Sequence, residues 1–229
     1  MIRGIDHIQL AMPRDQEARA RAFYGELLGL REIPKPPELA KRGGVWFELP
    51  DGRGLHLGVE EPFHPAKKAH PGFRVTTLDA LGMRLDALGH VPRWSDEVPG
   101  VRRFHAEDPF GNRLEFQEQA SEQRLTEEEV LAVLEALERG DVTIPDAQRR
   151  AVEDAPRVDM PYLCSNGWFF LIFNDDFEWD YILRVTAPDG RGLVFADIAG
   201  PPGGPIPMPR LYDYRPSPAI ALDVWGLAT

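Results

Sequence analysis

Residues 55–75 read LHLGVEEPFHPAKKAHPGFRV, and the organisation of the chain can be worked out from them. His56 and His70 bracket a loop punctuated by Pro62, Pro65 and Pro71, and each stands beside a short apolar run: Leu55 and Leu57, then Phe73 and Val75. Alternation of apolar and polar side chains marks a half-buried strand, so the loop joins two strands. It is also a seam. Residues 7–56 are echoed by residues 70–115.

Before the seam, residues 4–12 alternate, with His7 on the more polar face. Asp15 is expected to cap a helix whose apolar positions Ala18, Ala22, Phe23, Leu27 and Leu28 recur at helical spacing, and Gly29 to stop it. Strands are expected at 30–33, 45–49 and 54–60, the last two joined by the hairpin signal Asp51-Gly52. After the seam the order repeats: a strand at 72–75, a helix at 78–88, strands at 90–94 and 101–106, the turn Asp108-Pro109-Phe110-Gly111, and a strand at 113–117. Leu88-Gly89 falls 60 residues after Leu28-Gly29, and Leu114-Glu115-Phe116 falls 59 after Leu55-His56-Leu57. Agreement in element order, length and turn chemistry argues for a duplicated unit.

Charge divides the 229 residues in two. Residues 1–119 carry 17 basic and 18 acidic side chains and residues 120–229 carry 9 and 19, so the net charge of −11 belongs almost wholly to the second part. A general nucleic-acid binder needs a basic face, and this balance excludes one. All six histidines lie in the first part, which places any histidine chemistry there. The one cysteine, Cys164, rules out an internal disulfide and a cysteine-rich zinc site. No apolar run reaches the roughly 18 residues of a membrane span, and the alternating pattern at the N-terminus leaves no room for a signal peptide. A cytoplasmic protein is expected.

His7, the pair Phe23-Tyr24 followed by Leu27-Leu28-Gly29-Leu30, and the segment Asp108-Pro109-Phe110-Gly111-Asn112-Arg113-Leu114-Glu115-Phe116 resemble the glyoxalase, bleomycin-resistance and extradiol-dioxygenase group, the vicinal oxygen chelate superfamily. The resemblance covers residues 1–119. It implies an α+β fold of paired βαβββ modules curling round a shared cup. It also implies a divalent metal held from the first and last strands of each module, at His7, His56, His70 and Glu115. His56 departs from the Glu or Gln that glyoxalases more often carry there. Strand parity places all four opposite the large apolar residues of their strands, and a cation offsets the cost of gathering titratable groups in one concave site. Three imidazoles and a carboxylate suit zinc, nickel, iron(II) or manganese. Four side chains on an octahedral ion leave two positions for a substrate with adjacent oxygens, with Glu115 as the ligand on which turnover depends. Arg74, in phase with His70, and His105, on a strand that could line the cup, are the substrate-binding candidates.

Residues 120–229 read as a second, small acidic α+β domain. Thr126-Glu127-Glu128-Glu129 is a capping box opening a helix with the stripe Val130, Leu131, Leu134 and Leu137. A short helix is expected at 145–152, and strands at 167–173, 179–186, 192–198 and 219–225. Pro188-Asp189-Gly190 should turn a hairpin. Asp175, Asp176, Glu178 and Asp180 lack the glycine and terminal glutamate of a calcium loop and read as a solvated turn. This part points to no function.

The leading expectation is a metal-dependent enzyme acting on a small oxygenated metabolite through a metal-bound enediolate, of lyase or isomerase type. The alternatives are an iron(II) ring-cleaving dioxygenase and a non-catalytic drug- or toxin-binding resistance protein. No nucleic-acid or membrane partner is expected. A homodimer is one arrangement such families use to complete the cup.

Overall fold

The computed structural model describes residues 1–118, 124–144, 157–175 and 178–216. The chain divides into two compact units, Met1–Arg74 with Leu81–Gln117, and Val75–Ala80 with Glu118–Thr229. The hexapeptide Val75–Ala80 groups with the second unit, which the expected division at residue 119 does not provide for.

Residues 7–118 are built from two modules of the same design. In the first, β1 (His7–Met12) leads into helix α1 (Glu17–Ala20) and a π-helical turn (Arg21–Leu27), then β2 (Arg31–Ile33), a short helix α2 (Pro37–Ala40), β3 (Val45–Glu48) and β4 (Gly54–Val59). The sheet order is β1-β4-β3-β2, with β1 parallel to β4 and the other pairs antiparallel. In the second, β5 (Gly72–Val75), helix α3 (Leu78–Ala87), β6 (Arg93–Ser95), β7 (Arg103–Glu107) and β8 (Arg113–Glu118) form a sheet ordered β5-β8-β7-β6. The echo across the seam is therefore a repeated topology. The Asp51-Gly52 signal is a real hairpin turn: Gly52 has a positive φ of 84°, and Leu49 N–H donates to Arg53 O at 2.8 Å.

Each sheet buries the apolar residues of its strands, among them Met12, Phe47, Leu55, Leu57, Phe104, Leu114 and Phe116. Complete burial of a side chain of this size contributes about 1.5–3 kcal/mol. The polar residues in alternation with them are left for the opposite face. Asp15 does not cap the first helix. Its backbone sits at φ 60°, a left-handed conformation that aspartate tolerates better than most residues, and the cap position falls to Gln16 with no side-chain hydrogen bond. The helix then widens: Leu28 N–H reaches Phe23 O at 2.9 Å, five residues back, and Phe23, Tyr24 and Leu27 are all buried.

In the second unit, α4 (Glu127–Glu138) opens with the expected box: Glu129 N–H donates to Thr126 Oγ1 at 3.2 Å, and Thr126 N–H donates to Glu129 Oε2 at 2.9 Å. An antiparallel sheet comes next, ordered β12-β11-β10-β9, from β9 (Arg157–Leu163), β10 (Phe169–Asp175), β11 (Glu178–Thr186) and β12 (Gly192–Val194). No sequence pattern marks β9 because Pro161 interrupts it; proline is tolerated here because β9 is an edge strand. The strand expected at 192–198 is a correction: it stops at Val194, and Phe195–Ala199 is helix α5, opened by Val194 N–H donating to the Asp197 carboxylate at 3.0 Å. A last helix, α6, spans Pro209–Tyr212. Leu134, Leu137, Phe170, Ile172, Ile182 and Val185 lie in the core of this unit. The expected elements at 145–152 and 219–225, and Asp176 of the acidic turn, lie outside the described residues.

Candidate metal centre

On β8, Glu115 lies between Leu114 and Phe116, whose side chains enter the core, and its carboxylate turns to the other face. Register places His105 of β7 directly opposite Glu115, and Arg93 of β6 opposite His105. His70 precedes β5, and its Nε2 lies 3.0 Å from Glu115 Oε2. His70, His105 and Glu115 each present a ligand atom within 4.8 Å of the others, the only such set of three or more among the described residues.

Two further side chains fix the carboxylate. Arg103 Nη1 donates to Glu115 Oε1 at 2.8 Å and Gln117 Nε2 donates to the same oxygen at 2.9 Å. Arg103 is itself held by the Ser95 hydroxyl (3.4 Å) and Glu97 (3.2 Å). Burial pushes the Glu115 carboxyl up, but its contacts with Gln117, Arg103 and His70 outweigh it and hold the group at about 2. At neutral pH Glu115 is a carboxylate with Oε1 committed and Oε2 turned toward the two imidazoles. Burial, then the Arg113 charge, pushes the His105 imidazole below its ordinary value, so it is neutral.

The residues at the corresponding corners of the first module form a separate pair. His7 and His56 stack with ring centroids 4.4 Å apart, and Trp46, opposite His56 in the register, stacks on its other face at 3.9 Å. Burial and the adjacent His7 push the His56 imidazole below its ordinary value. Asp6 Oδ2 accepts from His7 Nδ1 at 2.9 Å, which leaves His7 Nε2 as the nitrogen free to bind. Gly54 makes the pair fit: a Cβ there would sit 2.7 Å from His56 Nε2 and 3.0 Å from His7 Cβ. The four corners expected to share one cation thus fall as His70 with Glu115 and His7 with His56, and His105, expected only as a substrate contact, stands with the first pair. Arg74 is exposed.

The donor set fits a divalent cation on three observations. His70 Nδ1 must donate to the Lys68 carbonyl, 2.8 Å away, because a carbonyl can only accept. In the neutral ring Nε2 is then a lone pair facing a carboxylate oxygen, an arrangement that a cation or a proton between them reconciles. His105 Nε2 is buried with no hydrogen-bond partner and lies 3.7 Å from Glu115 Oε2. Unpaired buried nitrogen of this kind is costly unless something binds it. Two imidazoles and a carboxylate also match the ligand chemistry of zinc, nickel, iron(II) and manganese.

Residues 4–116 match the family described as the Glyoxalase/Bleomycin resistance protein/Dioxygenase superfamily. A glyoxalase family protein from Bacillus anthracis is 50% identical in a match that covers 52% of this chain and 97% of that one, with a TM-score of 0.50. The chain belongs to this superfamily. The match spans both βαβββ modules. Other solved structures similar in fold include a glyoxalase/dioxygenase from Nostoc punctiforme (23% identity, covering 52% of this chain and 92% of that one, TM-score 0.44) and the fosfomycin resistance protein FosX from Listeria monocytogenes (22%, 55% and 100%, TM-score 0.43). No curated protein matches the chain. No helix among the described residues is long and apolar enough to cross a membrane.

Arg103, Gln117, Asp6 and Trp46 are the site residues that sequence reasoning misses. Period-two alternation gives the face of two of them but not their contacts, since Arg103 shares a face with His105 and Gln117 with Glu115. The other two depend on a side-chain contact to a neighbour and on cross-strand register, which no local pattern encodes.

Proposed function

We propose that the glyoxalase-like unit is a metal-dependent enzyme acting on a small oxygenated metabolite by proton transfer next to a carbonyl, of lyase or isomerase type. The observation that carries this is the His70–His105–Glu115 cluster, with His70 Nε2 3.0 Å from a carboxylate oxygen and the buried His105 Nε2 left unpartnered. His70, His105 and Glu115 Oε2 would hold the ion. A divalent cation there supplies Lewis-acid stabilisation of negative charge developing on a substrate oxygen. Arg103 and Gln117 fix Glu115 through Oε1, so that only Oε2 is offered. A carboxyl held at about 2 is too weak a base to take a proton efficiently near neutral pH, which favours a ligand role for Glu115 over general-base catalysis. His7 and His56 are the counterpart on the first module. A second copy of the chain, apposing its own first module, is the arrangement under which all four expected corners keep a ligand role.

The test is metal analysis followed by turnover. One divalent ion per chain is expected. Glu115→Gln should abolish turnover of 2-oxoaldehyde or hydroxyketone substrates and weaken metal binding. Full activity in that variant would overturn the assignment. A second reading, ring-cleaving oxygenation, is favoured by the composition of the cluster, since two histidines and one carboxylate are the ligand set of non-haem iron(II) oxygenases. Oxygen uptake by the iron-loaded protein with a catechol separates the two.

A further inference from the structure

Every strand of the second sheet places one arginine on the face that carries the cluster. On β8, Arg113 is in phase with Glu115 and Gln117; on β7, Arg103 is in phase with His105 and Glu107. On β6, Arg93 pairs with His105. On β5, Arg74 is in phase with Gly72, where a Cβ would lie 4.0 Å from Glu115 Oε2 and Gln117 Nε2 and so marks the same side. Two carboxylates on these strands answer them. Glu107 takes Arg93 at 3.1 Å, with Lys67 also bound at 3.2 Å, and Glu115 takes Arg103 at 2.8 Å. Arg113 and Arg74 make no side-chain ion pair or hydrogen bond among the described residues, so two positive charges are left over beside the cluster. Arg113 stands two residues from Glu115, about 7 Å along the strand.

We infer that this face recognises an oxyanion on the substrate, a carboxylate or a phosphorus oxyanion, with Arg113 as the principal contact and Arg74 as the second. The inference rests on the reading of His70, His105 and Glu115 as the reaction site. A bound divalent ion would add two further positive charges beside one carboxylate, and a neutral substrate would leave that excess unanswered. A guanidinium also matches the geometry of these groups, because its planar fork meets two oxygens at once. The substrate class is then a small anion whose charged group lies a few bonds from a pair of adjacent oxygens. Arg103 plays a different part, since its guanidinium is spent on Glu115, Glu97 and Ser95, which makes it a positioning residue.

The experiment is calorimetric titration of the full-length protein, with and without Co²⁺, using oxalate, inorganic phosphate and neutral hydroxyacetone. Oxalate should bind the Co²⁺ form at least tenfold more tightly than hydroxyacetone. Arg113→Met should remove most of that advantage without weakening Co²⁺ or hydroxyacetone binding, Arg113→Lys should restore part of it, and Arg74→Met should have a smaller effect. Phosphate in place of oxalate shows whether a carboxylate or a phosphorus oxyanion is preferred. Equal binding of oxalate and hydroxyacetone, or unaltered anion affinity in the folded Arg74→Met/Arg113→Met double variant, would overturn the inference. If Co²⁺ does not bind, the metal reading fails separately and the metal-free titrations decide: anion binding lost with Arg113 supports the inference, and no anion binding overturns it.

Discussion

Replacing Tyr24 with phenylalanine tests how the two modules of the glyoxalase-like unit are joined. Tyr24 is fully buried, and its hydroxyl donates to Asp108 Oδ2 at 2.7 Å. Asp108, only 3% exposed, also accepts from the backbone N–H groups of Phe110 and Asn112 at Oδ1 and from Asn112 Nδ2 at Oδ2, all at 2.8 Å. Asn112 Nδ2 donates in addition to Ala11 O at 2.8 Å, so one network ties β1 and the first helix to the turn before β8. A hydrogen bond to a charged group contributes about 1.5–3 kcal/mol, and Tyr24→Phe deletes one of four without opening a cavity. The expected loss is therefore about 1.5–3 kcal/mol. Asp108→Ala is the harsher change. It leaves the Tyr24 hydroxyl and two backbone donors without their acceptor, at about 1–3 kcal/mol each, a large part of a typical domain stability of about 5–15 kcal/mol. Urea unfolding monitored by tryptophan fluorescence would measure the first loss, and a double-mutant cycle with Asp108→Asn would give a coupling of about 1 kcal/mol or more. A Tyr24→Phe protein within about 0.5 kcal/mol of the parent would refute the reasoning, because surface substitutions alone produce changes that small.

Three other outcomes are expected. In metal-free protein, Glu115 has a folded-state value of about 2, below its ordinary 4.5, so its stabilising contribution is present above about pH 4.5 and is lost as pH falls toward 2; denaturation at pH 7 and pH 3 should show a loss about 2 kcal/mol larger in the parent than in Glu115→Gln, and parallel losses would contradict the hydrogen-bond account. Gly54→Ala should force the His7–His56 stack apart, costing about 1–3 kcal/mol in thermal or urea stability through overpacking; a variant as stable as the parent, with unchanged histidine ring resonances by NMR, would show that the pair does not need the space. His105→Ala should weaken divalent-metal binding at least tenfold by calorimetry where His64→Ala does not, and equal affinities would remove His105 from the ion's surroundings.

Much of the first unit can be read directly because its signals are local. Alternation at residues 4–12 and 54–60, the Asp51-Gly52 turn and the Asp-Pro-Phe-Gly turn before Glu115 each depend on a few adjacent residues. The helix start is misjudged because Asp15, a good cap by type, is drawn into a left-handed turn instead. Strand β9 is hidden by Pro161, which forbids a central strand but not an edge one. At the candidate site, the family resemblance points to His7, His56, His70 and Glu115, and parity sets each opposite the apolar residues of its strand. Parity cannot show that His105 stands across from Glu115, or that Arg103 reaches the carboxylate, because both depend on how β7 and β8 are paired. Asp6 shows a further limit: its value lies in orienting its neighbour's ring, and acidic residues beside histidines are too common in sequences to signal that.

The widened turn at Arg21–Leu27 has a consequence for how this protein can change over evolution. A turn closed from Leu28 to Phe23 holds one residue more than an α-helical turn, and so behaves as an insertion frozen inside a helix. Excising a residue from the helix while the widened turn persists would roll the earlier part by about 100° relative to the later part. Arg19 would swing off the Pro109 carbonyl, and the register between Phe23 and His90 would be lost with it. Loops in the same chain can lengthen or shorten at little cost. This helix cannot, so inherited gains and losses of single codons should accumulate around residues 21–27 and not within them.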